Sequence, residues 1–85
     1  MKPKELLARI SAGDASNVRF GDLQRLVEAL GFELERTRGS HHIYRHPEIT
    51  EKVNLQPQGG KAKPYQVRQV AEKAARYSLD VEKAK

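Results

Sequence analysis

The 85-residue chain has no cysteine and no tryptophan, one methionine and few aromatic residues of any kind. Without cysteine there is no disulfide framework, no thiolate nucleophile and no cysteine-ligated zinc site. No apolar run exceeds a few residues, which leaves neither a transmembrane helix nor the apolar stretch of a signal peptide. A chain of this length makes one domain, residues 1–85, whose small core calls for two packed layers. The expectation from these absences is a cytoplasmic protein with no membrane contact.

What the chain does have is positive charge, and it is unevenly placed. Residues 1–35 carry five basic and six acidic groups, whereas residues 36–76 carry nine basic and three acidic. A positive field gathered in one segment suits a polyanion-binding face. The same segment holds all three histidines, in Arg36-Thr37-Arg38-Gly39-Ser40-His41-His42-Ile43-Tyr44-Arg45-His46-Pro47. Histidine titrates near neutrality and arginine is a natural partner of phosphate oxygens, so any chemistry is expected here.

Periodicity organises the rest. Pro3 opens a short helix over about residues 3–12, with Leu6, Leu7 and Ile10 on one face and Gly13 as its stop. Leu23, Leu26, Val27 and Leu30 repeat at helical spacing, with Gly21 as the expected N-cap and Gly31 as the terminator. From Phe32 the period becomes two. Phe32 and Leu34 read as the buried side of a first strand, His41 to Arg45 as the returning strand, and Lys52 to Gln56 as a third. Pro57 to Lys63 reads as a loop, because Gly59-Gly60-Lys61 lacks the spacing and the Ser/Thr of a phosphate loop. Pro64 opens a last helix with Val67, Val70, Ala71, Ala74 and Ser78 on one stripe, and residues 80–85 are expected to fray. The order α-α-β-β-β-α gives an α+β two-layer sandwich, a three-stranded antiparallel sheet with helices on one face.

Strand alternation limits the histidines. His41 and His42 point to opposite faces, while His42 and His46 share one but stand roughly 13 Å apart along the strand. A two-histidine acid–base pair needs both groups within reach of one phosphodiester, which this spacing denies. Nor can one or two ligands per face supply a zinc site, so no metal and no cofactor is expected. Tyr44 is a candidate base-stacking side chain, its alternative being packing on the sheet. The residues alone lead to a basic RNA- or DNA-binding α+β domain with a candidate catalytic histidine.

Leu30-Gly31-Phe32, then Gly39-Ser40-His41-His42 through Pro47, then a short strand and a proline-begun helix, together resemble the HicA toxin family from about Phe20 to Leu79. The resemblance implies a fold like a double-stranded-RNA-binding domain and the activity of an mRNA interferase in a type II toxin–antitoxin pair. It implies a HicB antitoxin as the partner that covers the active site, and the histidine of Gly-Ser-His, His41 here, as the active residue. Many members carry Pro-x-His after the third strand; this chain reads Pro57-Gln58-Gly59, so the chemistry rests on one histidine. The leading helix lies outside the shortest members.

The expected mechanism is metal-independent cleavage of mRNA. His41 would act as general base on a ribose 2′-hydroxyl, with His42 in reserve, and Arg36, Arg38, Ser40, Arg45, Lys61 and Lys63 would contact phosphate. One geometric question stays open. If Ile43 packs on the helices then His41 turns inward with it, unless Tyr44 is the buried residue or a bulge near Gly39-Ser40 re-aims His41. The rival readings are a non-catalytic RNA- or DNA-binding module and a docking face for an acidic antitoxin.

Overall fold

The computed structural model describes residues 1–81. Helix α1 runs Pro3–Ser11, with proline in the first turn where its missing N–H is no loss. It buries Leu6 and Ile10 and packs against the two later helices. Helix α2, Phe20–Ala29, buries Leu23, Leu26 and Val27 completely, as its spacing predicts. Its start differs from expectation. Arg19, not Gly21, is the N-cap, and no side chain caps it. The chain can begin the helix there because the Phe20 N–H is satisfied by the Gly60 carbonyl at 3.1 Å, a contact that sequence patterning does not reveal.

Three strands follow, β1 (Glu33–Arg38), β2 (His41–His46) and β3 (Ile49–Leu55), antiparallel in that spatial order. The two-residue turn Gly39-Ser40 joins the paired residues Arg38 and His41. β3 starts earlier than expected, at Ile49 instead of Lys52, and ends at Leu55. A register shift between Leu34 and Arg36 puts a bulge in β1. Leu34 corrects the expectation of a buried first strand. It is 49% exposed, and all six residues of β1, one of the two edge strands, stay open to solvent. The charged sequence and the bulge both blunt that edge against pairing with other chains.

Residues 57–62, read as loop, form a small hairpin of β4 (Pro57–Gln58) and β5 (Lys61–Ala62). Gly59 and Gly60 are its two turn residues, with φ of 60° and 79°. Positive φ at both central positions is the demand of a type I′ turn, which glycine meets without a steric penalty. Two-residue strands are too short for alternation to announce them. The hairpin is tied to the start of α2 by backbone bonds, Ala62 N–H to Val18 carbonyl at 2.8 Å and the Phe20–Gly60 bond already named.

Helix α3, Pro64–Arg76, buries Gln66, Val67, Val70 and Ala74. Ser78 was expected on its stripe but lies past its end, in the left-handed conformation with φ of 55°. There it acts as the terminator, with Leu79 N–H bonding the Ala74 carbonyl and Ser78 N–H the Ala75 carbonyl. α2 ends the same way, with Phe32 N–H on Val27 and Gly31 N–H on Glu28. Past α3, Leu79 and Val81 pack against the core. The expected fraying otherwise concerns residues outside those described. Among the described residues no helix is long and apolar enough to cross a membrane. The result is the α-α-β-β-β-α sandwich, with its core between the helices and one face of the sheet.

Candidate functional site

The faces of β2 are settled by burial. Tyr44, at 1% exposure, and His46, at 9%, point into the core, and half-buried His42 lies on the same side. His41 and Arg45 are exposed on the other. Of the two arrangements that could reconcile Ile43 with His41, the structure takes the one with Tyr44 buried. Tyr44 therefore cannot be a stacking platform. Its ring has no free face, Gln24 Nε2 donates to its hydroxyl at 3.2 Å, and burial holds its phenol above the ordinary tyrosine range.

The predicted residues divide between two surfaces. The outer face of the sheet carries His41 with its cross-strand partner Arg38, then Ile43 opposite Arg36, and Arg45. His41 Nδ1 lies 3.2 Å from Asn54 Oδ1 on β3. The cations here are partly offset. Lys52 bridges Glu35 at 2.9 Å, and that hydrogen bond, helped by the fields of Arg36 and Arg45, holds the Glu35 carboxyl below its usual range.

The inner edge holds the second group. His42 packs edge-on against Phe20, the first residue of α2, with ring centroids 5.0 Å apart. Its Nδ1 is 3.0 Å from the Ser40 carbonyl. A carbonyl can only accept, so Nδ1 is the donor here, and in a neutral ring the lone pair would fall on Nε2. From Ser40 a chain of contacts runs outward. Gln56 Nε2 donates to Ser40 Oγ at 3.1 Å, and Lys63 Nζ donates to Gln56 Oε1 at 3.1 Å. The Gln56 N–H in turn donates to Gln66 Oε1 at 2.9 Å. His42, Ser40 and Lys63 are thus brought into one cluster. Lys61 instead bonds the Asn17 side chain across the hairpin base. Arg36, Arg38 and Arg45 lie on the far side of the sheet from this cluster.

His46 has a third role. Its Nε2 donates to the Leu30 carbonyl at 3.2 Å, its Nδ1 accepts from the Glu48 N–H at 3.1 Å, and Phe32 packs edge-on at 5.1 Å. Both ring nitrogens are used, which makes it a buried clamp between the end of α2 and the β2–β3 turn. His42 and His46 therefore each lean on a phenylalanine flanking α2, one at its start and one just past its end.

Sequence reasoning missed Gln56 and Gln66, the amides that link the inner cluster. An amide at a strand end or in a helix's first turn carries no motif, so only the fold brings them together. Among the described residues no three His, Cys, Asp or Glu side chains converge as a metal site would require.

Comparison with known proteins adds one positive result. No curated protein and no solved structure matches the chain. The family model described as HicA toxin of bacterial toxin-antitoxin matches residues 20–75, which takes in α2, the whole sheet, the hairpin and nearly all of α3. That span covers roughly two-thirds of the sequence and every residue of both surfaces just described, and on it the chain belongs to the HicA toxin family.

Proposed function

We propose that this toxin is an mRNA interferase that cleaves RNA without metal, with His42 rather than His41 as its general base. The observation that carries the assignment is the setting of His42. A backbone carbonyl orients its Nδ1, Phe20 packs against its ring, and Ser40 connects through Gln56 to the Lys63 ammonium. A base with an oriented ring, linked through a short relay to a cation, suits proton abstraction next to a phosphate.

In the proposed reaction His42 Nε2 removes the proton of a ribose 2′-hydroxyl. O2′ then bonds to the adjacent phosphorus, the P–O5′ bond breaks, and the departing 5′-oxygen takes a proton from water. The products are a 2′,3′-cyclic phosphate and a 5′-hydroxyl. Lys63 stabilises the charge that grows on the phosphate oxygens. The groups named around His42 are hydroxyl, amide and ammonium rather than carboxylate, a donor set suited to holding an anion and not a hard cation.

His41 supports a second reading. Its ring is also oriented, by Asn54, and it shares a face with Arg36 and Arg38. Cleavage of single-stranded RNA in EDTA by the wild-type chain, His41→Ala and His42→Ala separates the two. Loss of activity in His42→Ala alone supports the proposal, and loss in His41→Ala alone overturns the assignment. If the wild-type chain binds RNA in a salt-sensitive complex yet gives no products, it is a non-catalytic binding module. Cleavage of an all-deoxy strand would exclude 2′-hydroxyl attack.

A cytoplasmic HicB-like antitoxin is the partner that fits this reading. Covering the Ser40–His42–Lys63 cluster would suffice to silence the toxin. Co-purification with the product of the adjacent gene, and its inhibition of cleavage, tests that expectation.

A further inference from the structure

We infer that Tyr65 is the nucleobase platform of this site, an aromatic face on which a base next to the cleaved phosphate stacks. The inference rests on the RNA-cleaving reading and extends it to a residue that the sequence patterning left unassigned.

Single-stranded RNA is held by two kinds of contact, cations along the backbone and aromatic faces under the bases. The chain has five aromatic residues, Phe20, Phe32, Tyr44, Tyr65 and Tyr77. Phe20, Phe32 and Tyr44 are buried. Tyr77 is committed to α3, with its hydroxyl on Glu51 at 2.8 Å and Arg76 lying 5.8 Å from its ring centre. Tyr65 is 50% exposed.

Its position is what gives that exposure meaning. Lys63 is the N-cap of α3 and Pro64 the first helical residue, so Tyr65 sits in the first turn directly after a proline whose own φ is fixed for the helix. Gln66 Nε2 approaches the Tyr65 hydroxyl at 3.4 Å, and the other end of the same amide takes the Gln56 N–H. Gln56 then leads to Lys63 on one side and to Ser40 and His42 on the other. One series of polar contacts therefore joins the general base, the phosphate-binding ammonium and the exposed ring. With the hydroxyl held at Gln66, the ring itself is what remains for a ligand. A tyrosine loses little side-chain freedom on stacking, since it has only two side-chain torsions.

An exposed tyrosine that merely keeps α3 soluble would have no effect on RNA, which makes the distinction measurable. The probe is a single-stranded oligonucleotide with 2′-fluoro sugars, which cannot be cleaved, carrying the fluorescent base 2-aminopurine. It is titrated into the full chain and into Tyr65→Ala and Tyr65→Phe, each checked for fold by circular dichroism. The expected result is fluorescence quenching with the wild-type chain and with Tyr65→Phe. For Tyr65→Ala the expectation is loss of the quench together with about tenfold weaker binding. On cleavable RNA, Tyr65→Ala should also change which base flanks the cut site. A folded Tyr65→Ala that binds, quenches and cleaves like wild type overturns the platform and leaves the RNA-cleaving reading standing. A wild-type chain that neither binds nor cleaves RNA overturns both.

Discussion

The ring of His46 occupies the space that a side chain on Gly31 would need. A Cβ built on Gly31 would stand 2.7 Å from His46 Nε2, closer than such atoms approach in folded proteins. Gly31 is also left-handed, with φ of 103°, where it terminates α2. Two separate constraints thus fall on one position. Gly31→Ala should cost at least about 2 kcal/mol, from the backbone strain and from displacing the imidazole that bonds the Leu30 carbonyl. In a His46→Ala background the steric part disappears, so the two changes should be clearly less than additive. Urea unfolding of the four chains measures the difference, and strict additivity would mean that the His46 ring moves aside freely.

Ser78 presents the same backbone conformation without glycine. At φ of 55° it ends α3 through the Leu79 and Ser78 bonds to Ala74 and Ala75. A Cβ makes that region unfavourable, and Ser78→Gly removes the penalty while keeping the motif. The expected gain is about 0.5–1 kcal/mol, or a rise of roughly 4 °C in Tm for a domain of this size. A fall in Tm would place the serine side chain in a stabilising contact.

Glu51 is the acidic anchor between β3 and α3. It accepts from Lys73 at 2.8 Å, from Tyr77 at 2.8 Å and from Arg76 at 2.9 Å. The Lys73 hydrogen bond first, then that of Tyr77, holds its carboxyl below the ordinary glutamate value. A carboxyl with a depressed folded-state pKa adds stability above its unfolded pKa of roughly 4.3, and loses it as pH falls through the folded value. Glu51→Gln should therefore lower the denaturation midpoint near neutral pH, and the gap from wild type should close at acidic pH. A gap that is constant with pH would assign the loss to packing instead of charge.

The sequence disclosed the architecture because each helix stripe and each strand alternation is written locally. Leu23, Leu26, Val27 and Leu30 needed no tertiary knowledge to be placed in the core. Tyr44 did. Alternation puts it opposite His41, but which of the two faces is buried depends on where the helices pack, and that is not local. The β4–β5 hairpin escaped because two-residue strands have no period. The inner cluster escaped because its links are long-range contacts of Gln56 and Gln66, residue types that serve equally well on any surface. The Gly-Ser-His-His run singled out this stretch, while the division of its histidines between two faces and a buried clamp appears only in three dimensions.

That division yields the sharpest test of where RNA would lie on the proposed reading. If cleavage runs at the inner edge, the cations that matter are those linked to His42, and Lys63 is the first of them. Lys63→Gln should lower cleavage by about tenfold, and it should reduce the slope of log binding constant against log salt by roughly 0.7, the share of one single-strand phosphate contact. Arg36→Gln, Arg38→Gln and Arg45→Gln alter the opposite face, where Lys52 and Glu35 already pair. Each should leave cleavage within about threefold of wild type and the salt slope unchanged. They are solvent-exposed side chains, so their removal should scarcely alter the fold. The reverse pattern, with the arginines sensitive and Lys63 silent, would carry the substrate to the outer face and return the general base to His41.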